Sequence, residues 1–130
     1  MSRFRYFRVC PSDEQKSATL FRNINTYMKV HCISDTHNKH EEIDLPGGDL
    51  LIHSGDIMSS DNPSELLQFL MWFESQLYTT KLFIAGNHDH LLEQKPELIE
   101  KILKLFPSII YLQDSEVTIA HIKFYGAPWI

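Results

Sequence analysis

Cysteine is scarce, with two in 130 residues: Cys10 in a polar N-terminal stretch and Cys32 inside an apolar run. A disulfide framework is therefore excluded as the source of stability, and a reducing, cytoplasmic setting is expected. Long apolar runs are also missing. No stretch approaches the roughly 18–20 residues of a membrane span, and MSRFRYFR is followed by PSDEQK rather than by an apolar signal core. Positive charge is in deficit, 12 Lys and Arg against 17 Asp and Glu, for a net charge of −5. The acidic residues are scattered, so no extended nucleic-acid surface is expected, whereas a small anionic substrate is compatible if local cations are present.

What is present reads as an ordinary globular chain. Apolar residues make up 43% and charged residues 22%, and the length fits a single core. Residues 1–27 lack a clean period of either kind, leaving open a short helix around Gln15 to Tyr27, a disordered arm or an appended upstream start. The domain proper is placed at residues 28–130. There KVHCIS and DLLIHSG read as buried strands, separated by a polar loop and the LPGG turn. Asn62, Pro63 and Glu65 open a helix with a stripe of Leu66, Leu70, Phe73 and Leu77, and Met71 and Trp72 also read as core. A third strand runs from Lys81 to Ala85. Pro96 starts a second helix that turns Leu98, Ile99, Ile102, Leu103 and Phe106 inward before Pro107. Three short strands, SIIYLQ, SEVTIA and IKFYG, follow. Strand, helix, strand in this order implies parallel pairing through right-handed crossovers, hence an α/β layered fold.

The informative residues follow the first three strands: Asp35 and His37, then Asp56, then Asn87, His88 and Asp89. Parallel strands end on one edge, where open α/β sheets bind ligands, so topology alone gathers these side chains. Carboxylates, an amide and imidazoles in one place would repel or go unpaired without cations. That oxygen and nitrogen set suits manganese, iron, zinc or magnesium. Turn chemistry is the plainer account of any single one, because Asp, Asn and Gly are favoured in turns for backbone reasons. It does not explain all of them in order.

DTH at 35–37, GD at 55–56 and GNHD at 86–89 resemble the first three motifs of the calcineurin-like metallophosphoesterases. CISDTHN, GGDLLIHSGD, AGNHDH and FYGAPW resemble more narrowly the metallophosphoesterase-domain-containing subgroup, described as hydrolases of cyclic nucleotides or other phosphodiesters. The resemblance covers residues 28–130. It implies a layered α/β/β/α sandwich and a metal-dependent phosphoesterase acting on a small phosphorylated substrate, a nucleotide among the options. It also implies two divalent ions: Asp35 and His37 on the first, Asp56 bridging, and Asn87 on the second. His88 would be the catalytic histidine, with Asp89 orienting its ring from behind.

The family pattern continues into further histidines and a closing Gly-His-x-His segment that have no counterpart here. On this reading the chain is the N-terminal, βαβ-rich part of the sandwich, with most of the second sheet missing and the core exposed on that side. The first metal keeps three ligands and the second only Asp56 and Asn87, so a single retained ion is the alternative. The competing functions are a non-catalytic metal- or phosphate-binding remnant and an incomplete gene product. His31 and His53 read as core or edge histidines, and His121 also lies within a strand. His40 and His90 fall near the mouth of the site, where His90 could touch a substrate phosphate, although a solvated loop histidine is the better reading of it. The oligomeric state is left open.

Overall fold

The computed structural model of the chain describes residues 6–11 and 28–128. Its strands are β1 (Tyr6–Pro11), β2 (Val30–Ile33), β3 (Gly48–His53), β4 (Tyr78–Phe83), β5 (Ile109–Tyr111), β6 (Ser115–Ile119) and β7 (Ile122–Ala127). Its helices are α1 (Pro63–Ser75), α2 (His90–Gln94) and α3 (Pro96–Leu103), with a 3₁₀ turn at His40–Glu42. The helix expected around Gln15 to Tyr27 lies outside the described residues.

Strands β2, β3, β4 and β5 form a parallel sheet in that order, and β1, β7 and β6 form an antiparallel one. The crossovers β3–α1–β4 and β4–α2–α3–β5 are what the parallel pairing requires. Alternation along β3 and β4 sorts their side chains between two cores. Leu51 and Phe83 meet Leu66, Phe69, Leu70 and Phe73 of α1, while Leu50, Ile52 and Leu82 meet Phe124 of β7. Helices, parallel sheet and antiparallel sheet thus stack as three layers of the expected sandwich.

Helix α1 begins as its sequence implies, with the Asn62 side chain accepting from the Glu65 N–H at 3.0 Å and Pro63 at the first position. It ends earlier than the stripe suggests. The chain leaves the helix after Ser75, so Leu77 is 81% exposed and Phe69 takes the inward place. Met71 is exposed too, on the outer face, whereas Phe73 is fully buried. In the second predicted helix, Ile99 and Phe106 are buried and Ile102 and Leu103 pack at the margin.

Two further expectations are corrected. β2 is not buried on both faces: among the described residues it pairs only with β3, its residues are exposed or half-buried, and the free thiol of Cys32 is exposed. Nor is the second face of the parallel sheet open. Leu50, Leu82 and Ile84 are fully buried because the β6–β7 hairpin folds across them. β1, drawn from residues set outside the domain in the sequence reading, adds to that hairpin through Tyr6↔Ala127 to Pro11↔Ile122. β5, which the sequence groups with β6 and β7, instead extends the parallel sheet beside β4.

Candidate metal centre

The loops that leave β2, β3 and β4 on the carboxyl edge are sewn together by main-chain bonds. The N–H groups of Asp35, His37 and Asn38 donate to the carbonyls of Gly55, Asp56 and Ile57 at 3.0, 3.0 and 2.8 Å. This clasp holds Asp35, His37, Asn38 and Asp56 in the left-handed region, with φ of 57°, 41°, 63° and 57°. Non-glycine residues enter that region at a cost of about 1–2 kcal/mol each. They persist where the surroundings over-determine them, typically at sites.

Two glycines permit the close approach. Gly55 has φ 98°, and a Cβ on it would press on the Gly86 backbone at 2.6 Å. A Cβ on Gly86 would overlap the Asp56 carboxylate itself. Only glycine at 86 therefore lets the GNHD turn lie against Asp56.

The clasp brings together one ligand atom each of Asp35, His37 and Asp56, all within 4.8 Å of one another, so these residues could hold a metal ion. The donor set fits that use. His37 Nδ1 lies 3.3 Å from the Met58 carbonyl, which can only accept, so Nδ1 carries the proton and Nε2 keeps its lone pair. Behind the loop, His53 is fully buried; its Nδ1 accepts from the Gly55 N–H at 3.1 Å and its Nε2 faces Thr36 Oγ1 at 3.0 Å. Such outer contacts fix ligand orientation.

His88 sits beside this group. Its backbone N–H donates to Asp56 Oδ1 at 3.1 Å, and its exposed ring meets the His37 ring edge-on at 5.2 Å between centroids. Asn87 is half-buried in the same turn, between Gly86 and His88. Asp89 plays another part than the one expected of it. It is fully buried, and its carboxylate accepts from the N–H groups of Gly86 (2.8 Å), Ile57 (3.0 Å) and Met58 (3.0 Å). Those bonds staple the β4 loop to the β3 loop, and none reaches the His88 ring. Burial pushes the Asp89 carboxyl up from its ordinary value, against the three N–H groups, while Asp56 adds to the rise.

The other histidines separate cleanly. His31 bonds the Tyr78 hydroxyl at 2.7 Å, and His121 lies in the β6–β7 turn. His90 is exposed, with Nδ1 3.5 Å from Asp61. His40 is not at the mouth: it is 2% exposed, under α1 against Phe69 and Trp72. Sequence reasoning missed the bracing by Thr36, His53 and the Met58 carbonyl. The spacing in DTH hints only at Thr36, which must point away from the ligands on either side of it.

Fold and site together define an α/β protein with a candidate metal centre at the carboxyl ends of its parallel strands. The family model for calcineurin-like phosphoesterases matches residues 28–125. Human metallophosphoesterase domain-containing protein 1 is 38% identical over 123 residues, covering 79% of this chain and 38% of that protein. A Caenorhabditis elegans UPF0046 protein is 35% identical over 114 residues, covering 79% of this chain and 39% of its own length. A probable rhamnogalacturonate lyase C of Emericella nidulans is 32% identical over 116 residues, an alignment that takes in 11% of that protein. The chain belongs to the calcineurin-like phosphoesterase family. It spans about two-fifths of the length of the first two relatives. Among the described residues, no helix is long and apolar enough to cross a membrane.

Proposed function

We propose that this protein is a metal-dependent phosphoesterase that hydrolyses a small phosphomonoester or phosphodiester, with nucleotides among its substrates. The observation that carries the reading is the Asp35, His37 and Asp56 group, whose ligand atoms lie within 4.8 Å of one another on the edge where the family motifs converge. Asp35, His37 and Asp56 would hold a first divalent ion, and Asp56 with the amide oxygen of Asn87 would serve a second. Manganese, iron, zinc and magnesium suit these donors. When bound, such ions lower the pKa of a water and neutralise charge on a phosphoryl group.

The chain's own residues do the rest. The Met58 carbonyl keeps the His37 proton on Nδ1, and so presents Nε2 to the site. His88, against the His37 ring, donates a proton or hydrogen bond to the leaving oxygen. Asp89 holds the two loops in register from below.

The test is hydrolysis of an aryl phosphodiester with added Mn²⁺ by wild type, His88→Ala and Asp56→Asn. Wild type turns over and both variants lose at least about 100-fold; equal rates in all three remove the catalytic reading. A second reading, binding of one ion or of phosphate without turnover, is favoured by the three-residue group, since among the described residues no further His, Cys, Asp or Glu joins it. Metal analysis giving one ion per chain, with phosphate binding by calorimetry and no turnover, selects it.

A further inference from the structure

The metal loop has a third attachment that the proposed reaction does not use. Immediately after Asn38 the chain turns, with the Lys39 N–H on the Thr36 carbonyl at 2.7 Å, into the 3₁₀ turn of His40–Glu42. His40 is the residue by which that turn is seated. Its imidazole is 2% exposed and lies 5.1 Å from the Trp72 ring and 5.8 Å from the Phe69 ring, both on α1. It is packed as an aromatic residue would be. Its Nδ1 is a buried side-chain nitrogen without a hydrogen-bond partner among the described residues, a condition natural structures rarely leave unexplained.

We propose that His40 is an acid-released latch for the metal loop: neutral, it seats the 3₁₀ turn under α1, and protonated, it unseats that turn and the loop carrying Asp35 and His37. The neutral ring meets a nearly apolar seat at modest cost. The imidazolium would bury an N–H at Nδ1 with no acceptor, a far larger cost, and leaving the seat returns that nitrogen to water. From α1 the ring faces Phe69 and Trp72, which do not titrate. From β3 comes the titratable side chain of His53, whose ring also packs on Phe69, at 5.2 Å between centroids. On its own turn Glu41 is the charge that favours the imidazolium, and burial outweighs it, pushing His40 down from its ordinary value.

The latch has a size. A released His40 titrates with an ordinary pKa of about 6.5, so lowering the pH from about 7.5 to about 5.5 favours the unseated state roughly tenfold. Loop opening is readable by amide hydrogen exchange with no metal or substrate present. The amides of Asn38, Lys39 and Ile43 report it, since their acceptors are the carbonyls of Ile57, Thr36 and His40; Ile84, bonded to the His53 carbonyl, is the reference.

In wild type, protection at Asn38, Lys39 and Ile43, corrected for intrinsic rates and taken relative to Ile84, falls roughly tenfold between the two pH values. In His40→Phe, which offers the same seat a ring that cannot titrate, the fall is less than about twofold. His40→Leu is a second non-titrating variant should the phenyl ring disturb folding. A pH effect that arises elsewhere in the chain acts on all three proteins and cancels in the comparison. An equal fall in wild type and in the variants overturns the latch, as does constant protection in wild type.

Discussion

The carboxyl edge of the parallel sheet and the regions remote from it carry the same two costly features, left-handed non-glycine backbone and buried charge. They differ in what holds those features in place. At the edge, Asp35, His37, Asn38 and Asp56 are kept at positive φ by loop-to-loop bonds, and the buried Asp89 carboxylate is bound by amides of both adjoining loops. Away from it, Ala120 and His121 take φ of 49° and 63° in the two-residue β6–β7 turn, and Lys81 is 3% exposed with Nζ 2.9 Å from the Glu74 carbonyl. A tight hairpin needs left-handed residues whatever their identity. Cost at the edge is tied to a constellation; elsewhere it belongs to one turn or one side chain.

The largest separation lies between the two buried charges. Asp89→Asn keeps the shape but sets an amide nitrogen against backbone donors. We expect it to lose about 3–5 kcal/mol in denaturant unfolding, the scale for breaking a buried charged network. Mn²⁺ affinity, measured by calorimetry, should fall about 10–100-fold as the two loops lose register. Lys81→Met removes a charge whose contacts lead to no ligand, and should change stability by under about 1 kcal/mol and leave metal affinity unaltered. Comparable losses in both variants would erase the contrast.

Lys81 also carries a pH signature. Burial pushes its ammonium down from an ordinary 10.5, with the Glu74 carboxylate opposing. Between the lowered folded value and 10.5 the unfolded chain binds the extra proton, so stability rises with pH in that window, by at most about 1.4 kcal/mol per unit. Unfolding free energies measured across the alkaline range should show that slope in wild type and lose it in Lys81→Met.

The parts of the molecule legible in sequence are those where one signal had one meaning. Asn62 and Pro63 mark the start of α1, and the motif residues Asp35, His37, Asp56 and His88 do meet, because parallel strands must end on one edge. What failed to read depended on distant partners. Leu77 continues a helical period that the backbone abandons at Ser75. His40 looks like a loop histidine until α1 packs on it. Asp89 belongs to the GNHD motif, yet its carboxylate serves the N–H groups of Ile57 and Met58, 31 or more positions away. β1 has no period to announce it and is defined by the edge of β7 that it pairs with.

The smallest effects test the backbone half of the comparison. Asp35→Gly relieves a left-handed residue and removes a ligand, so stability should shift by under about 1 kcal/mol while calorimetry shows Mn²⁺ binding lost. Ala120→Gly relieves the same conformation where no candidate ligand is involved. Glycine returns about 1–2 kcal/mol of left-handed strain and gives back about 0.5–1 kcal/mol through its freer unfolded chain. The net gain is about 0.5 kcal/mol, visible as a raised midpoint in thermal unfolding with metal affinity unchanged. A loss of metal affinity in Ala120→Gly would mean that strain in the hairpin is coupled to the carboxyl edge through β7, and that the two regions are not separable after all.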